Sequence, residues 1–281
     1  MRILAPRTWA QALTLKAEYP QALAVRGGTD VMVELNFGRR RPDALLDLGR
    51  VTELDQWDVA EGRVRIGAGV TYQRIIDELR ELVPGLALAS RTVGSPQIRS
   101  RGTVGGNLGS ASPAGDAHPP LLACGANVHV ESVRGERRVP VEEFFAGPKR
   151  SVLEPDELIA AVTLPFAHGP QRFAKVGTRN AMVIAVCSFA LSLDVTRRRA
   201  RTGIGSAGPT PLRARQAEAF LNELWLSGAP LDEAAIITFG RLVSEAACPI
   251  DDVRGTADYR RHALSVLATR ALRSCWREAV S

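Results

Sequence analysis

Long apolar runs, clustered cysteines, aromatics and lysine are all in short supply in this chain, and each shortage excludes something. No segment approaches the roughly 20 apolar residues that a helix needs to cross a bilayer, so no membrane span is expected. The opening MRILAPRTWAQALTLKAEYP breaks up its apolar residues with Arg7, Trp9, Gln11 and Lys16, unlike the continuous core of a signal peptide. Cys124, Cys187, Cys248 and Cys275 lie tens of residues apart, which fits neither a disulfide framework nor a CxxC metal site. A reducing cytoplasm is the expected compartment. Aromatics make up 5 % of the chain, and no aromatic stripe accompanies the short basic runs Arg39–Arg41 and Arg197–Arg199. The net charge of +6 therefore implies solvated or partner-facing surface and no nucleic-acid partner.

What remains is an ordinary globular composition, 45 % hydrophobic and 23 % charged over 281 residues, enough for one large or two modest domains. Apolar spacing predicts a helix over 8–18 and a strand over Ala22–Val25 that ends at Gly27-Gly28. Further strands are predicted at Asp43–Leu48 and Arg63–Ala68, and a helix after Thr71. A proline-started helix follows over Pro120–Ala126, then a hairpin of Asn127–Ser132 and Arg137–Val141, and a strand over Leu158–Leu164. PFAHGP (165–170) marks a boundary. Beyond it, Arg172–Lys175, Val183–Val195 and Ala200–Ser206 read as an antiparallel sheet, and Leu212–Leu226, Leu231–Ala246 and Ala257–Glu278 as helices. Strands followed by helices indicate α+β.

Two glycine pairs carry the chemical interest. Val25-Arg26-Gly27-Gly28-Thr29-Asp30 follows a strand, where absent side chains let backbone N–H groups approach a diphosphate. Gly102-Thr103-Val104-Gly105-Gly106-Asn107 repeats the arrangement and adds the Thr103 hydroxyl and Asn107 amide as donors. For either pair alone, a turn that needs φ > 0 is the commoner cause. Ser110, Ser112 and Asp116 then lie among small residues suited to line a polar ligand, although Asp116 also suits an N-cap. Gly203-Ile204-Gly205-Ser206-Ala207-Gly208 satisfies GxGxxG, but Pro209 and Pro211 follow and no βαβ unit surrounds it, so a domain-joining turn is expected. His118, His129, His168 and His262 show no metal-ligand spacing; His118 lies at the mouth of the second loop.

The segments AVRGGTDVMVEL (24–35), GSPQIRSRGTVGGNLGSASPAGDAHPPLLACGANV (94–128) and DELIAAVTLP (156–165) resemble the FAD-binding medium subunit of the molybdenum hydroxylases, the family of xanthine and carbon monoxide dehydrogenases. GIGSAGPTPLRARQAEAFL (203–221) and CPIDDVRGTADYRRHALSVLATRAL (248–272) resemble its C-terminal domain. The resemblance implies a two-subdomain α/β FAD-binding domain of the vanillyl-alcohol-oxidase type over 1–168, split near 54, and an α+β C-terminal domain over 169–281. It implies that Val25, Arg26, Gly27, Gly28, Thr29 and Asp30 hold the FAD diphosphate. Val93, Gly94, Thr103, Gly106, Asn107, Ser110 and Asp116 would complete the contacts, with Ile159 near the isoalloxazine ring. Lys175 matches a lysine close to the flavin in some members; a surface salt bridge is an equal reading. Some relatives add an iron–sulfur cluster on a cysteine-rich loop, which this chain lacks.

The implied activity is that of a flavoprotein oxidoreductase subunit. Substrate would be oxidised at a molybdenum cofactor on a large subunit, and electrons would reach this FAD through [2Fe–2S] clusters on a small subunit, in a dimer of heterotrimers. No catalytic side chain and no metal ligand are then expected here. The alternatives are a self-sufficient FAD-dependent oxidase, for which no His or Tyr constellation is evident, and a non-catalytic scaffold whose glycine loops are only turns.

Overall fold

The computed structural model describes residues 1–280. The first unit runs β1 (Arg2–Leu4), α1 (Trp9–Glu18), β2 (Leu23–Val25), α2 (Val31–Asn36) and β3 (Ala44–Asp47). Its three strands form a parallel sheet in the order β1-β3-β2. Ala44, Leu45 and Leu46 of the central strand are all buried, as expected of a parallel strand covered on both faces. Thr8 caps α1 by accepting from the Gln11 amide.

The second unit contains β4 (Trp57–Ala60), β5 (Arg63–Gly67), α3 (Tyr72–Glu78), α4 (Pro84–Thr92), α5 (Pro96–Arg99), α6 (Val104–Ser110), α7 (His118–Cys124), β6 (Asn127–Ser132), β7 (Gly135–Pro140), β8 (Phe145–Gly147), β9 (Arg150–Ser151) and β10 (Leu158–Pro165). A five-stranded antiparallel sheet has the order β4-β5-β10-β6-β7, with the apolar β10 at its centre. One continuous core joins these two units. The third unit has β11 (Gln171–Val176), β12 (Cys187–Asp194) and β13 (Arg199–Gly205) as an antiparallel sheet. Then come α8 (Arg215–Ser227), α9 (Glu233–Ala246) and α10 (Ala257–Ala279), which share a second core with one face of that sheet.

The other face of the third sheet receives α4 and α7 through Ala89, Ala123, Phe173 and Ala190. This packing accounts for the GxGxxG segment. A Cβ at Gly203 would lie 2.0 Å from the Pro119 carbonyl oxygen, and one at Gly205 would lie 2.8 Å from the Pro119 ring. The glycines let α7 seat on β13, so packing accounts for their presence.

Several elements depart from the sequence reading. Gly105 and Gly106 sit inside α6, whose N-cap is Thr103, so the second loop is largely the first turn of a helix. Strand β12 begins at Cys187 and not at Val183, because 177–186 folds back on itself, with a would-be Gly177 Cβ only 2.3 Å from Val183. The short β1, α2, β4, α4 and α5 carry too few periodic residues to be recognised from spacing. We expect Gly203→Ala to destabilise the chain by about 1–3 kcal/mol, the usual cost of overpacking; an unchanged urea midpoint would show that α7 does not need this approach.

Candidate functional site

The two glycine segments touch. A Cβ on Gly27 would fall 2.1 Å from the Arg101 carbonyl oxygen, and one on Gly102 would lie 3.5 Å from Thr29 Oγ1. Gly28 takes φ +74°, a conformation open to glycine, and so turns the chain from Val25 at the end of β2 towards α2. The amides of Gly28, Thr29 and Asp30 meet no protein acceptor among the described residues. Arg26 points elsewhere: its Nη2 bridges both carboxylate oxygens of Asp55, at 2.5 and 2.7 Å, and fixes the base of the first loop.

The second segment differs from the expected nest of free amides. The amides of Val104, Gly105 and Gly106 donate to Val70 O, Ala68 O and Thr103 Oγ1, and that of Asn107 to Thr103 O. Thr103, Gly106, Asn107 and Ser110 instead occupy one stripe of α6, at i, i+3, i+4 and i+7. Gly106 is exposed on that stripe, and the Asn107 side-chain oxygen is buried without a partner. Ser110 donates to Asn107 O at 2.9 Å. Ile159 meets the same helix, since a Cβ on Gly109 would lie 3.8 Å from its Cδ1. A bulge in β10 between Ile159 and Ala161 turns the strand at this point.

Asp116 lies at the seam with the third unit. Its Oδ2 accepts from Lys175 Nζ at 2.6 Å and from Thr92 Oγ1 at 3.2 Å, while Oδ1 is buried without a partner. Burial raises the Asp116 pKa, and the Lys175 charge and hydrogen bond oppose the rise. Lys175 is 10 % exposed and donates also to Thr92 O and Val183 O, so it is no surface group. Val93 and Gly94 present carbonyls to Arg99 Nη1 at 3.3 and 3.2 Å.

Three contributors escaped the sequence reading. Tyr72 stacks under Gly102, with Cδ2 3.3 Å from a would-be Cβ there, and its hydroxyl is buried without a partner. Burial, then Asp116 and Asp30, push the phenol pKa well up, so it remains a donor. Thr92 and Arg99 hold Asp116 and the Val93–Gly94 turn. Only an ordinary helix start after Thr71 marked Tyr72, and that signal carries no chemistry.

A family model described as the FAD binding domain in molybdopterin dehydrogenase matches residues 1–167, and one described as the CO dehydrogenase flavoprotein C-terminal domain matches 172–275. The chain belongs to this family. It is a flavoprotein medium subunit of the molybdenum hydroxylases, and FAD is its cofactor. It is 36 % identical to the nicotinate dehydrogenase FAD-subunit of Eubacterium barkeri, over 81 % of this chain and 79 % of that one. It is 30 % identical to the putative xanthine dehydrogenase FAD-binding subunit of Escherichia coli, over 94 % and 92 %. The solved carbon monoxide dehydrogenase of Hydrogenophaga pseudoflava superposes with a TM-score of 0.91 at 26 % identity, covering 99 % of this chain and 98 % of that chain. The two-part FAD-binding fold followed by an α+β domain is thus that of the medium subunit. No helix among the described residues is long and apolar enough to cross a membrane.

His118 braces the medium-subunit site from behind. Its Nε2 lies 3.2 Å from Asn107 O, its ring packs on Phe145, and burial lowers its pKa to about 4. The unfolded chain protonates this imidazole near pH 6.5, and the folded chain only near 4. Its contribution to stability is therefore complete above pH 6.5 and is lost as pH falls towards 4, by about 3 kcal/mol. Denaturation from pH 7 to 4.5 should show a shallower loss for His118→Gln than for the wild type; parallel curves would remove His118 from the acid response.

Proposed function

We propose that this chain is the FAD-carrying electron-transfer subunit of a cytoplasmic molybdenum-containing hydroxylase, assembled with a molybdenum-binding large subunit and an iron–sulfur small subunit as a dimer of heterotrimers. The observation that carries the reading is the contact between two glycine segments that leave unpartnered polar groups on one side. FAD, when bound, supplies the redox chemistry, taking electrons from the partner's [2Fe–2S] clusters and delivering them to an external acceptor. The relatives, a nicotinate dehydrogenase FAD-subunit and a putative xanthine dehydrogenase FAD-binding subunit, support a place in a larger assembly.

The residues present fit the cofactor. Free amides from Gly28 to Asp30 and the Tyr72 hydroxyl are donors suited to a diphosphate. The buried oxygens of Asn107 and Asp116 are acceptors suited to ribityl and ribose hydroxyls. Val25, Arg26 and Gly27 shape the first segment, Thr103 and Ser110 fix α6, Gly106 keeps its face open, and Val93, Gly94 and Ile159 bound the far end. Lys175 acts through Asp116, holding one carboxylate oxygen so that the other stays aimed at ligand. Residues 1–168 form the cofactor domain in this reading, divided near 54, and 169–281 the C-terminal domain.

Purification of the native protein with its partners, followed by cofactor analysis, tests the assembly. The expected result is stoichiometric FAD on this chain and molybdenum on a co-purifying one. At the site, Gly28→Val and Gly106→Val should abolish FAD retention, with Gly106→Val leaving the circular dichroism close to that of the wild type because its Cβ would meet only Thr103 Oγ1, at 3.1 Å. Asp116→Asn should weaken FAD about tenfold or more, as expected for one charge-assisted hydrogen bond. Normal FAD content in both glycine variants would overturn the assignment.

A further inference from the structure

The arginine run at 197–199, which the flavin site does not use, leads to a second feature. A cleft of about 220 Å³ opens between the second and third units, lined by Arg63 of β5, Gly125 after α7, and Arg197, Arg199 and Arg201 around the β12–β13 turn. The linker residues Pro165, Phe166 and His168 supply another wall. It lies at the opposite end of α7 from His118 and Asn107, about 10 Å away at 1.5 Å per helical residue.

The cleft is rich in positive charge. Several arginines elsewhere sit against carboxylates: Arg213 with Glu142 and Glu218, Arg137 with Glu157, Arg260 with Asp252. The cleft is lined by four arginines and a single carboxylate, Asp194, which accepts from the Arg197 backbone amide at 3.0 Å and meets the Arg197 guanidinium only at a long 3.5 Å. Arg63 Nη2 and Arg201 Nε are buried with no acceptor. A buried donor without an acceptor carries its full desolvation cost, and both of these belong to side chains that line one cavity, where an anion would offset that cost. Gly125 makes the space: it takes φ +65°, and a Cβ there would come within 2.9 Å of the Arg201 guanidinium carbon. Burial and the neighbouring charges of Arg213 and Arg199 lower the Arg201 pKa, opposed by Glu218 and Glu142, which is the like-charge crowding that an anion relieves.

We propose that this cleft binds a phosphate-type oxyanion, clamped between the cofactor domain and the C-terminal domain by Arg63, Arg199 and Arg201. Planar guanidinium forks match phosphate oxygens, and supplying them from both sides of the linker makes the anion a clasp. The chemistry is shared by free inorganic phosphate and by the phosphate of a small phosphomonoester.

Thermal unfolding of the FAD-loaded full chain in inorganic phosphate, against chloride at equal ionic strength, tests this. A saturable rise of about 2–4 °C is expected near tenfold excess over Kd, with FAD absorbance unchanged. The rise should vanish in Arg63→Gln/Arg199→Gln and shrink in Arg199→Gln alone, an exposed position at which folding is not at risk. Adenosine monophosphate acting at a tenfold or lower concentration would identify a phosphomonoester site; equal or weaker action would identify free phosphate. A response no greater than in chloride, an undiminished response in both variants, or release of FAD by phosphate would overturn the proposal. The FAD absorbance before addition reads the flavin assignment separately.

Discussion

The approach of Gly27 to the Arg101 carbonyl is the constraint on which the site depends. A strand end from the first unit and a helix start from the second meet so closely that no side-chain carbon fits between them. That contact turns two permissive glycine segments into one surface. Around it the structure spends its polar groups unevenly. The α6 amides close on Ala68, Val70 and Thr103 and hold the helix in place, whereas the amides after Gly28 stay open. One segment is thereby a brace and the other a recognition loop.

Behind this surface lie two buried polar supports. His118, kept neutral by its surroundings, holds Asn107 from the core side, and Lys175 reaches across from the third unit to hold Asp116. Each contacts a residue that has a further polar atom buried without a partner, Asn107 Oδ1 and Asp116 Oδ1. The lysine satisfies all three of its donors in doing so, with one carboxylate and two carbonyls. A group so fully engaged stabilises a position and is poorly placed to follow a ligand.

Much of the fold was readable from spacing. The long helices α9 and α10, the strands β5, β6 and β10 and the Thr71 cap follow directly from periodicity and capping chemistry. The medium-subunit family was readable from TVGGN and SPAGD. Harder to read were elements of three to seven residues and a helix containing Gly105 and Gly106, because two glycines argue against a helix until the close approach of Ala68 explains the first of them. Tyr72 and the Arg63–Arg201 convergence were hidden for a different reason. Their partners lie far along the chain, and only tertiary packing shows that a phenol or a guanidinium has been buried without an acceptor.

The Asp116–Lys175 pair has one more consequence. One of its carboxylate oxygens is held across the domain joint by Lys175, and the other is buried without a partner. A ligand hydroxyl donated to the free oxygen would alter the charge left for the other, and cofactor binding would then be linked to the docking of the C-terminal domain.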